Sequence, residues 1–159
     1  MTSRLFFWAL PAAALAHILE EFVYPGGFTA WYARYRPETA LSFTRGFAIG
    51  INVALVVGCA APLVSRPPQS VALWLTMAAL VAGNALFHVR GVYVLRSYSP
   101  GVITSVLLYL PLAVAGYPHF LRSAEASPGT ALAALVLGGS YNFISAWRHR
   151  LRASRRGGA

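Results

Sequence analysis

One face of the first apolar segment carries three ionisable side chains. His17, Glu20 and Glu21 lie in or at the end of a run, residues 5–24, that is otherwise apolar enough to span a membrane. Positions i, i+3 and i+4 of a helix share one face, so an imidazole is placed beside two carboxyl groups. A carboxylate at membrane depth is costly unless it is paired, protonated or bound to a metal. The spacing therefore predicts a functional site on this helix.

A second polar pair lies near the end of the third apolar segment. Asn84 and His88 are four residues apart and share a helical face. Because alternate spans run in the same direction, the first and third spans end at the same membrane surface, which places this pair at the depth of His17. Helical bundles build metal and ligand sites in this way, from side chains on facing helices. We expect four further residues to contact substrate or to hydrogen-bond around the site: Tyr24, Asn52, Arg90 and Asn142.

Composition places the chain among membrane proteins. Of its 159 residues, 57% are hydrophobic and 11% are charged, whereas an ordinary soluble domain carries about 25% charged residues. The formal charge of +9 comes from arginines between the apolar segments and near the C-terminus. This distribution fits membrane topology and anionic lipid headgroups, so we expect the lipid bilayer as a partner and no nucleic acid.

Five apolar segments reach the length needed to cross a bilayer, about 20 residues. Joints rich in Pro, Gly and Ser separate them, and no internal repeat is visible. The predicted fold class is all-α: an integral membrane bundle of five transmembrane helices, residues 1–150, with a polar cavity in its cytoplasmic half. A basic, disordered tail is predicted at 151–159. The predicted spans are residues 5–24, 45–64, 70–88, 102–121 and 130–147.

The distribution of arginines predicts the orientation. Ten arginines fall on the surface that follows the first and third spans, and three fall on the other, Arg4, Arg66 and Arg122. The positive-inside rule then predicts a multi-pass protein of the cell inner (plasma) membrane, with the N-terminus outside and the C-terminus cytoplasmic. Arg4 and the apolar run after it also resemble a secretory signal that would be cleaved before His17. We favour an uncleaved helix, because the inward N-terminus of a signal conflicts with the arginine count.

At residues 17–21, His-Ile-Leu-Glu-Glu, the chain resembles the HXXEE-domain family, which is named after that motif. The similarity continues through Tyr24 and Pro25, the Asn84 and His88 pair, and residues 98–101. The resemblance implies a small multi-span membrane protein without assigning a reaction. It also implies the site residues, which are His17, Glu20, Glu21, Asn84 and His88.

Metal binding is the first chemistry that the cluster allows. Imidazole and carboxylate ligands suit Fe, Zn or Mn, and the predicted ligands are His17, Glu20, Glu21 and His88. The centre would be mononuclear or compactly dinuclear. Only two carboxylates lie in the spans, so a second ion would need unusual ligands or a partner subunit, and a homo-oligomer stays open. The protein would be an intramembrane metalloenzyme for a small or lipophilic substrate, an oxidoreductase with iron or a hydrolase or isomerase with zinc.

Three alternatives to a metal centre remain. Two adjacent carboxyl groups in a low-dielectric bundle resist joint ionisation, which would leave an acid beside an imidazole base for metal-free isomerisation or hydrolysis. A small-solute carrier could use Glu20 and Glu21 as a proton relay. In a structural role, the two glutamates would pair with surface arginines and anchor the first helix.

Residues 25–44, which are aromatic and basic, are predicted to lie across the inner surface and to roof the cavity.

Overall fold

All the secondary structure that can be described in this chain is helical. The computed structural model describes the backbone of residues 3–156, and the side chains of that range except 142, 143, 145, 146 and 148–156. Within the helix Val102–Arg122, residues Ser105–Tyr109 form a π-helical turn. The prediction of an all-α protein is confirmed. The elements are α1 (Ser3–Phe22), α2 (Phe28–Tyr35), a 3-10 helix (Pro37–Ser42), α3 (Arg45–Val64), α4 (Gln69–Leu95), α5 (Val102–Arg122) and α6 (Pro128–Arg156).

Four helices within the described residues are long and apolar enough to cross a membrane: α1, α3, α4 and α5. They indicate a membrane protein, but they correct the prediction of five spans. The fifth predicted span lies in α6, where residues 138–142, Gly-Gly-Ser-Tyr-Asn, interrupt the apolar run. In addition, α6 continues to Arg156, so residues 151–156 are helical where the sequence suggests a disordered tail.

The centre of the bundle is formed by α1 and α4. In each of them 44% of the most apolar stretch is buried inside the bundle, compared with 11% for α3 and 17% for α5. Most residues of α3 and α5 are therefore not buried by the rest of the described chain. Phe6 packs against Trp74 and Phe120 with ring centroids 5.4 and 5.7 Å apart. The Trp74 indole also donates a hydrogen bond to the Phe6 carbonyl at 2.8 Å. The starts of α1 and α4 and the end of α5 therefore meet at one end, which we call the distal end.

The opposite end, which we call the site end, is covered by the connection between α1 and α3. This connection folds back over the bundle, and Phe28, Trp31 and Tyr35 of α2 are buried. Phe87 of α4 packs against this aromatic cluster. Trp31 also fills the space beside Gly91, where a Cβ would lie 2.2 Å from the indole. The placement agrees with the roof that the sequence predicts for this segment.

The last helix, α6, packs along α4. Gly138 approaches α4 so closely that a Cβ would lie 2.1 Å from the carbonyl oxygen of Thr76. Small residues permit such close helix contacts in membranes. The helix begins at the distal end, after the short connection from α5, and also contacts the 3-10 helix at the site end. It therefore runs parallel to α4 and closes one side of the interior.

Candidate functional site

His17, Glu21 and His88 converge between α1 and α4 at the site end. Glu21 Oε1 lies 3.4 Å from His17 Nε2 and 3.2 Å from His88 Nε2. One potential ligand atom from each residue lies within 4.8 Å of the other two. The three side chains are buried, with exposures of 1%, 6% and 0% for His17, Glu21 and His88. The first and third predicted spans thus meet at one level, as the spacing of their polar residues predicts.

A hydrogen-bonded chain determines which nitrogen of His17 carries the proton. Nδ1 lies 3.0 Å from the Thr104 hydroxyl, and that hydroxyl donates its hydrogen to Glu20 Oε2 at 2.5 Å. Because a hydroxyl has one hydrogen, His17 Nδ1 is the donor to Thr104, and a neutral imidazole then has its lone pair on Nε2. This lone pair faces Glu21 and the Asn84 amide, whose Nδ2 is 3.0 Å away.

The His88 ring is enclosed on both sides. Its Nδ1 lies 3.0 Å from the Ser99 hydroxyl, and the Trp31 ring stacks on it with centroids 5.7 Å apart and an interplanar angle of 21°. Glu21 is close to Nε2, but among the described residues this nitrogen has no partner in hydrogen-bonding geometry. Leaving a buried polar atom unsatisfied costs about 1–3 kcal/mol. The Nε2 atom is therefore available to a ligand that the described side chains do not supply.

Glu20 points away from the cluster and binds the start of α5. Its Oε1 accepts hydrogen bonds from the Tyr98 hydroxyl at 2.6 Å and the Ile103 N–H at 3.0 Å. Its Oε2 accepts from the N–H and the hydroxyl of Thr104, at 2.7 and 2.5 Å. Unpaired amides at a helix start favour a carboxylate. Burial and the hydrogen bond to Glu20 raise the pKa of Tyr98. The structure thus replaces the predicted ligand role of Glu20 with a capping role.

The turn before α5 lies directly over the cluster. Gly101 has a φ of +96°, and a Cβ there would lie 2.6 Å from His17 Cε1 and 2.9 Å from His88 Cε1. Glycine tolerates this backbone conformation and allows the close approach. The π-helical turn that follows places the Ser105 hydroxyl 3.4 Å from His17 Nδ1 and the Tyr109 ring centroid 4.8 Å from that of His17. Such turns are frequent at functional sites.

A cavity of about 350 Å³ adjoins the cluster. His17, Glu21 and Asn84 form its polar wall. Its volume lies in the range of small-molecule sites, about 300–1,000 Å³. The rest of the lining is mostly apolar, and its aromatic part includes Phe22, Phe28, Tyr32, Phe43, Phe47 and Phe87.

The other predicted site residues are divided between the cavity and the surface. Asn84 and Asn52 line the cavity, although the Asn52 amide also donates to a main-chain carbonyl of α3 at 2.8 Å. Tyr24 is 86% exposed, and Arg90 donates to an α2 tyrosine hydroxyl at 2.9 Å. Neither of these two residues lines the cavity. The side chain of Asn142 lies outside the described residues.

Histidines, not arginines, are the ion-pair partners of the glutamates. Within the part of the chain whose side chains are described, Glu21 approaches His17 and His88, and Glu125 approaches His119 at 4.0 Å. Glu20 is occupied by the start of α5. The alternative in which surface arginines anchor the two motif glutamates is therefore corrected.

Comparison with known proteins agrees with the motif. The family model described as a protein of unknown function with HXXEE motif matches residues 8–115. The chain belongs to the HXXEE family. The match covers the three clustered residues of this HXXEE protein and the start of α5, and the resemblance predicted from residues 17–21 is confirmed. No curated protein and no solved structure matches the chain.

The sequence did not predict the roles of the residues that position the HXXEE motif. Thr104 orients His17, Ser99 contacts His88, and Gly101 makes room for both rings. A sequence signal for them exists, because Ser-Pro-Gly directly before an apolar run marks a turn and a helix start. The signal predicts the turn but not the side chains that the turn covers.

Proposed function

We propose that this HXXEE protein is an integral membrane enzyme that binds a divalent metal ion through His17, Glu21 and His88. The observation that carries the proposal is the convergence of their three donor atoms within 4.8 Å at a buried position. His17 Nε2 lies 3.4 Å from Glu21 Oε1 and 3.0 Å from the Asn84 amide nitrogen. Two electron-rich atoms in the interior repel each other unless a proton or a cation lies between them.

Two of the three donor separations, those that join Glu21 to each imidazole, support a single shared ion. Nitrogen and oxygen ligands lie about 2.0–2.2 Å from zinc, so two ligands of a tetrahedral ion are about 3.3–3.6 Å apart. Glu21 Oε1 lies 3.4 and 3.2 Å from the two imidazole nitrogens, close to that range. Two histidines and one carboxylate form a donor set suited to Fe, Zn or Mn. This set leaves coordination positions for water or substrate.

Hydrogen bonds on the far sides of both rings support the ligand roles. His17 Nδ1 donates to Thr104, and His88 Nδ1 lies 3.0 Å from Ser99. Metal-binding histidines almost always have such partners, which fix the ring and its tautomer. A bound ion would supply a Lewis acid or a polarised water, making the protein an oxidoreductase with iron or a hydrolase or isomerase with zinc. Asn84 and the aromatic walls would orient the small or lipophilic substrate and exclude bulk water.

For the location we propose the cell inner (plasma) membrane, with the N-terminus outside and the site end toward the cytoplasm. The positive-inside rule supports this orientation because arginines are concentrated at the site end. The arginines of the site end are Arg34, Arg36, Arg45, Arg90 and Arg96, whereas those of the distal end are Arg4, Arg66 and Arg122.

Metal analysis of the purified full-length chain tests the proposal. Wild-type protein prepared without chelator, or reloaded with Fe, Zn or Mn, should hold one ion per chain. His17→Gln and Glu21→Gln should lose it while circular dichroism shows unchanged helix content. Glu38→Gln and His119→Gln are matched controls outside the cluster and should retain the ion. A wild-type protein that takes up none of the three metals overturns the metal centre.

Acid–base catalysis without metal is the second candidate function. It is favoured by one observation: Glu21 Oε1 lies within 3.4 Å of both imidazoles, so a proton shared between these groups could be transferred to a substrate. Activity that persists in the metal-free protein and is lost in Glu21→Gln would support this candidate over the first. Activity that returns only on addition of a metal would exclude it.

A further inference from the structure

Among the described side chains, the mostly apolar wall of the cavity carries one arginine, Arg36. Arg36, directly after α2, is half-buried and lines the cavity. Its guanidinium lies over the rings of Tyr35 and Phe87, 5.3 and 5.8 Å from their centroids. Counting only described side chains, no carboxylate lies within ion-pair distance of it. A positioned guanidinium without a carboxylate partner is suited to binding a carboxylate or phosphate.

A groove opens on the outer surface between α1 and α3. It encloses about 860 Å³, and we call it the α1–α3 groove. Ile49, Val53 and Val57 of α3 line it, with exposures of 56%, 58% and 63%. Exposed apolar side chains on a membrane-spanning helix face the acyl chains of the bilayer. The groove is therefore accessible to molecules dissolved in the lipid.

The groove and the cavity are neighbours. Phe22, Phe43 and Asn52 line both of them, so these side chains stand between the bilayer and the polar wall formed by His17 and Glu21. Rotation of such side chains is fast compared with catalysis. A lipophilic molecule can thus approach the cluster from the membrane without passing through water.

We infer that the ligand of this cavity is a single-chain amphiphile with an anionic headgroup, which arrives from the bilayer through the α1–α3 groove. The inference rests on the proposed function, since it names the substrate class of the same site. Arg36 binds the carboxylate or phosphate headgroup, and the chain lies along the aromatic wall and in the groove. The part of the molecule beside the headgroup then lies against Glu21. Arg45, which lines the groove at its site end, offers the headgroup a first contact.

Photo-labelling in phosphatidylcholine nanodiscs tests the inference on the full chain. The probe is palmitic acid with a diazirine at mid-chain, and the matched probe is hexadecanol with the same diazirine. We expect the acid to label α3 peptides that contain Val53 about tenfold more strongly than the alcohol, because a charge-assisted hydrogen bond is lost in the alcohol. Unlabelled palmitate or palmityl phosphate should compete, and the stronger competitor identifies the headgroup. Acetate and inorganic phosphate should not compete.

Two pairs of variants locate the headgroup and the path. Arg36→Gln should reduce labelling by the acid about tenfold, whereas Arg34→Gln, on the exposed side of α2, should not. Val53→Trp should block the groove and reduce labelling, whereas Val114→Trp, at an exposed position of α5 that lines neither space, should not. Equal labelling by acid and alcohol, competition by acetate, or unchanged labelling in Arg36→Gln would overturn the inference.

Metal content measured in the same preparations separates the two proposals. Arg36→Gln and Val53→Trp change no ligand of the cluster and should keep the ion. A metal-free wild type that is labelled in the expected pattern would defeat the metal centre and leave the amphiphile site intact. A metal-loaded protein that is labelled equally by the acid and the alcohol would overturn only the proposal of an amphiphile site.

Discussion

Glu20 and His17 are connected through one hydroxyl group, that of Thr104, whose oxygen lies 2.5 Å from Glu20 Oε2 and 3.0 Å from His17 Nδ1. The carboxylate accepts the hydroxyl hydrogen, and the hydroxyl oxygen accepts the imidazole hydrogen. Glu20 therefore determines that the His17 lone pair faces Glu21. The two adjacent glutamates of the motif have different contacts, one at the start of α5 and one inside the cluster.

We predict that Glu20→Gln mainly lowers stability, whereas Glu21→Gln mainly abolishes metal binding. Glu20→Gln should lower the free energy of unfolding by about 2–4 kcal/mol, because the amide offers one acceptor oxygen to four donors. It should weaken metal binding about 10–100-fold, the usual effect of removing a group that orients a ligand. Glu21→Gln should abolish metal binding and retain most of the stability. Chemical unfolding and metal titration in detergent measure both quantities.

Glu38→Gln is the control for this pair, since Glu38 is exposed on the 3-10 helix. It should match the wild type in both measurements. Loss of the ion in Glu20→Gln together with full retention in Glu21→Gln would reverse the assignment of the two residues.

We predict that Gly101→Ala disrupts the cluster by steric contact. The added Cβ would lie 2.6 Å from His17 Cε1 and 3.0 Å from Glu21 Cγ. Gly27 also has a positive φ, +88°, but a Cβ there meets nothing within 4 Å. Gly27→Ala should therefore cost only the backbone strain, about 1–2 kcal/mol. Gly101→Ala should cost about 2–5 kcal/mol, because overpacking adds to the strain, and should lose the ion. Equal losses with the ion retained in both would contradict the steric explanation.

We predict that Trp31 and Trp74 contribute similar free energies to folding, but that only Trp31 affects metal binding. Their exposures are 1% and 0%, so each change to Ala should cost about 3–5 kcal/mol. Only Trp31→Ala uncovers His88, and it should speed hydrogen exchange in α2 and weaken metal binding. Trp74→Ala, at the distal end, should leave metal binding unchanged. If Trp31→Ala does not fold, Trp31→Phe keeps an aromatic ring over His88 and should bind metal nearly as the wild type does.

We predict that the contribution of Tyr98 to stability declines at alkaline pH. Burial and the hydrogen bond to Glu20 raise its pKa, so the folded state favours the protonated phenol. This stabilisation is complete below the ordinary tyrosine pKa of about 10 and is lost as the pH rises above it. Tyr98→Phe should thus be less stable than the wild type at about pH 8, and the gap should narrow above about pH 10. Thermal unfolding across this range measures the gap. A gap that stays constant across this range would contradict the prediction.

The depth of the site in the bundle could be predicted from the sequence. Which of the two glutamates joins the cluster and which one caps α5 could not. Helical period and segment length suffice to place His17 level with His88, because both properties are local. Adjacent residues on a helix point about 100° apart, so Glu20 and Glu21 cannot both face α4. Which of them does so depends on the rotation of α1, and this is decided by tertiary contacts such as the free amides at the start of α5.

The fifth predicted span is not among the membrane-spanning helices found in the described residues. Residues 130–147 have an apolar first half, but the Gly-Gly-Ser-Tyr-Asn stretch that follows lowers their hydropathy. In the structure Gly138 of this stretch is the point where α6 touches the α4 backbone. A small residue at a close contact between helices contributes little to the hydropathy of its segment. Composition alone therefore does not reveal that Gly138 has a packing role.

The last helix lies outside the part of the chain that the family model matches. The family model ends at residue 115, before α6 begins at Pro128, yet Tyr141 of α6 contributes to the cavity lining. Every other residue of the cavity lining lies within the matched part of the chain. The chamber is therefore built mostly by the HXXEE region itself, and α6 completes one side of it from beyond that region.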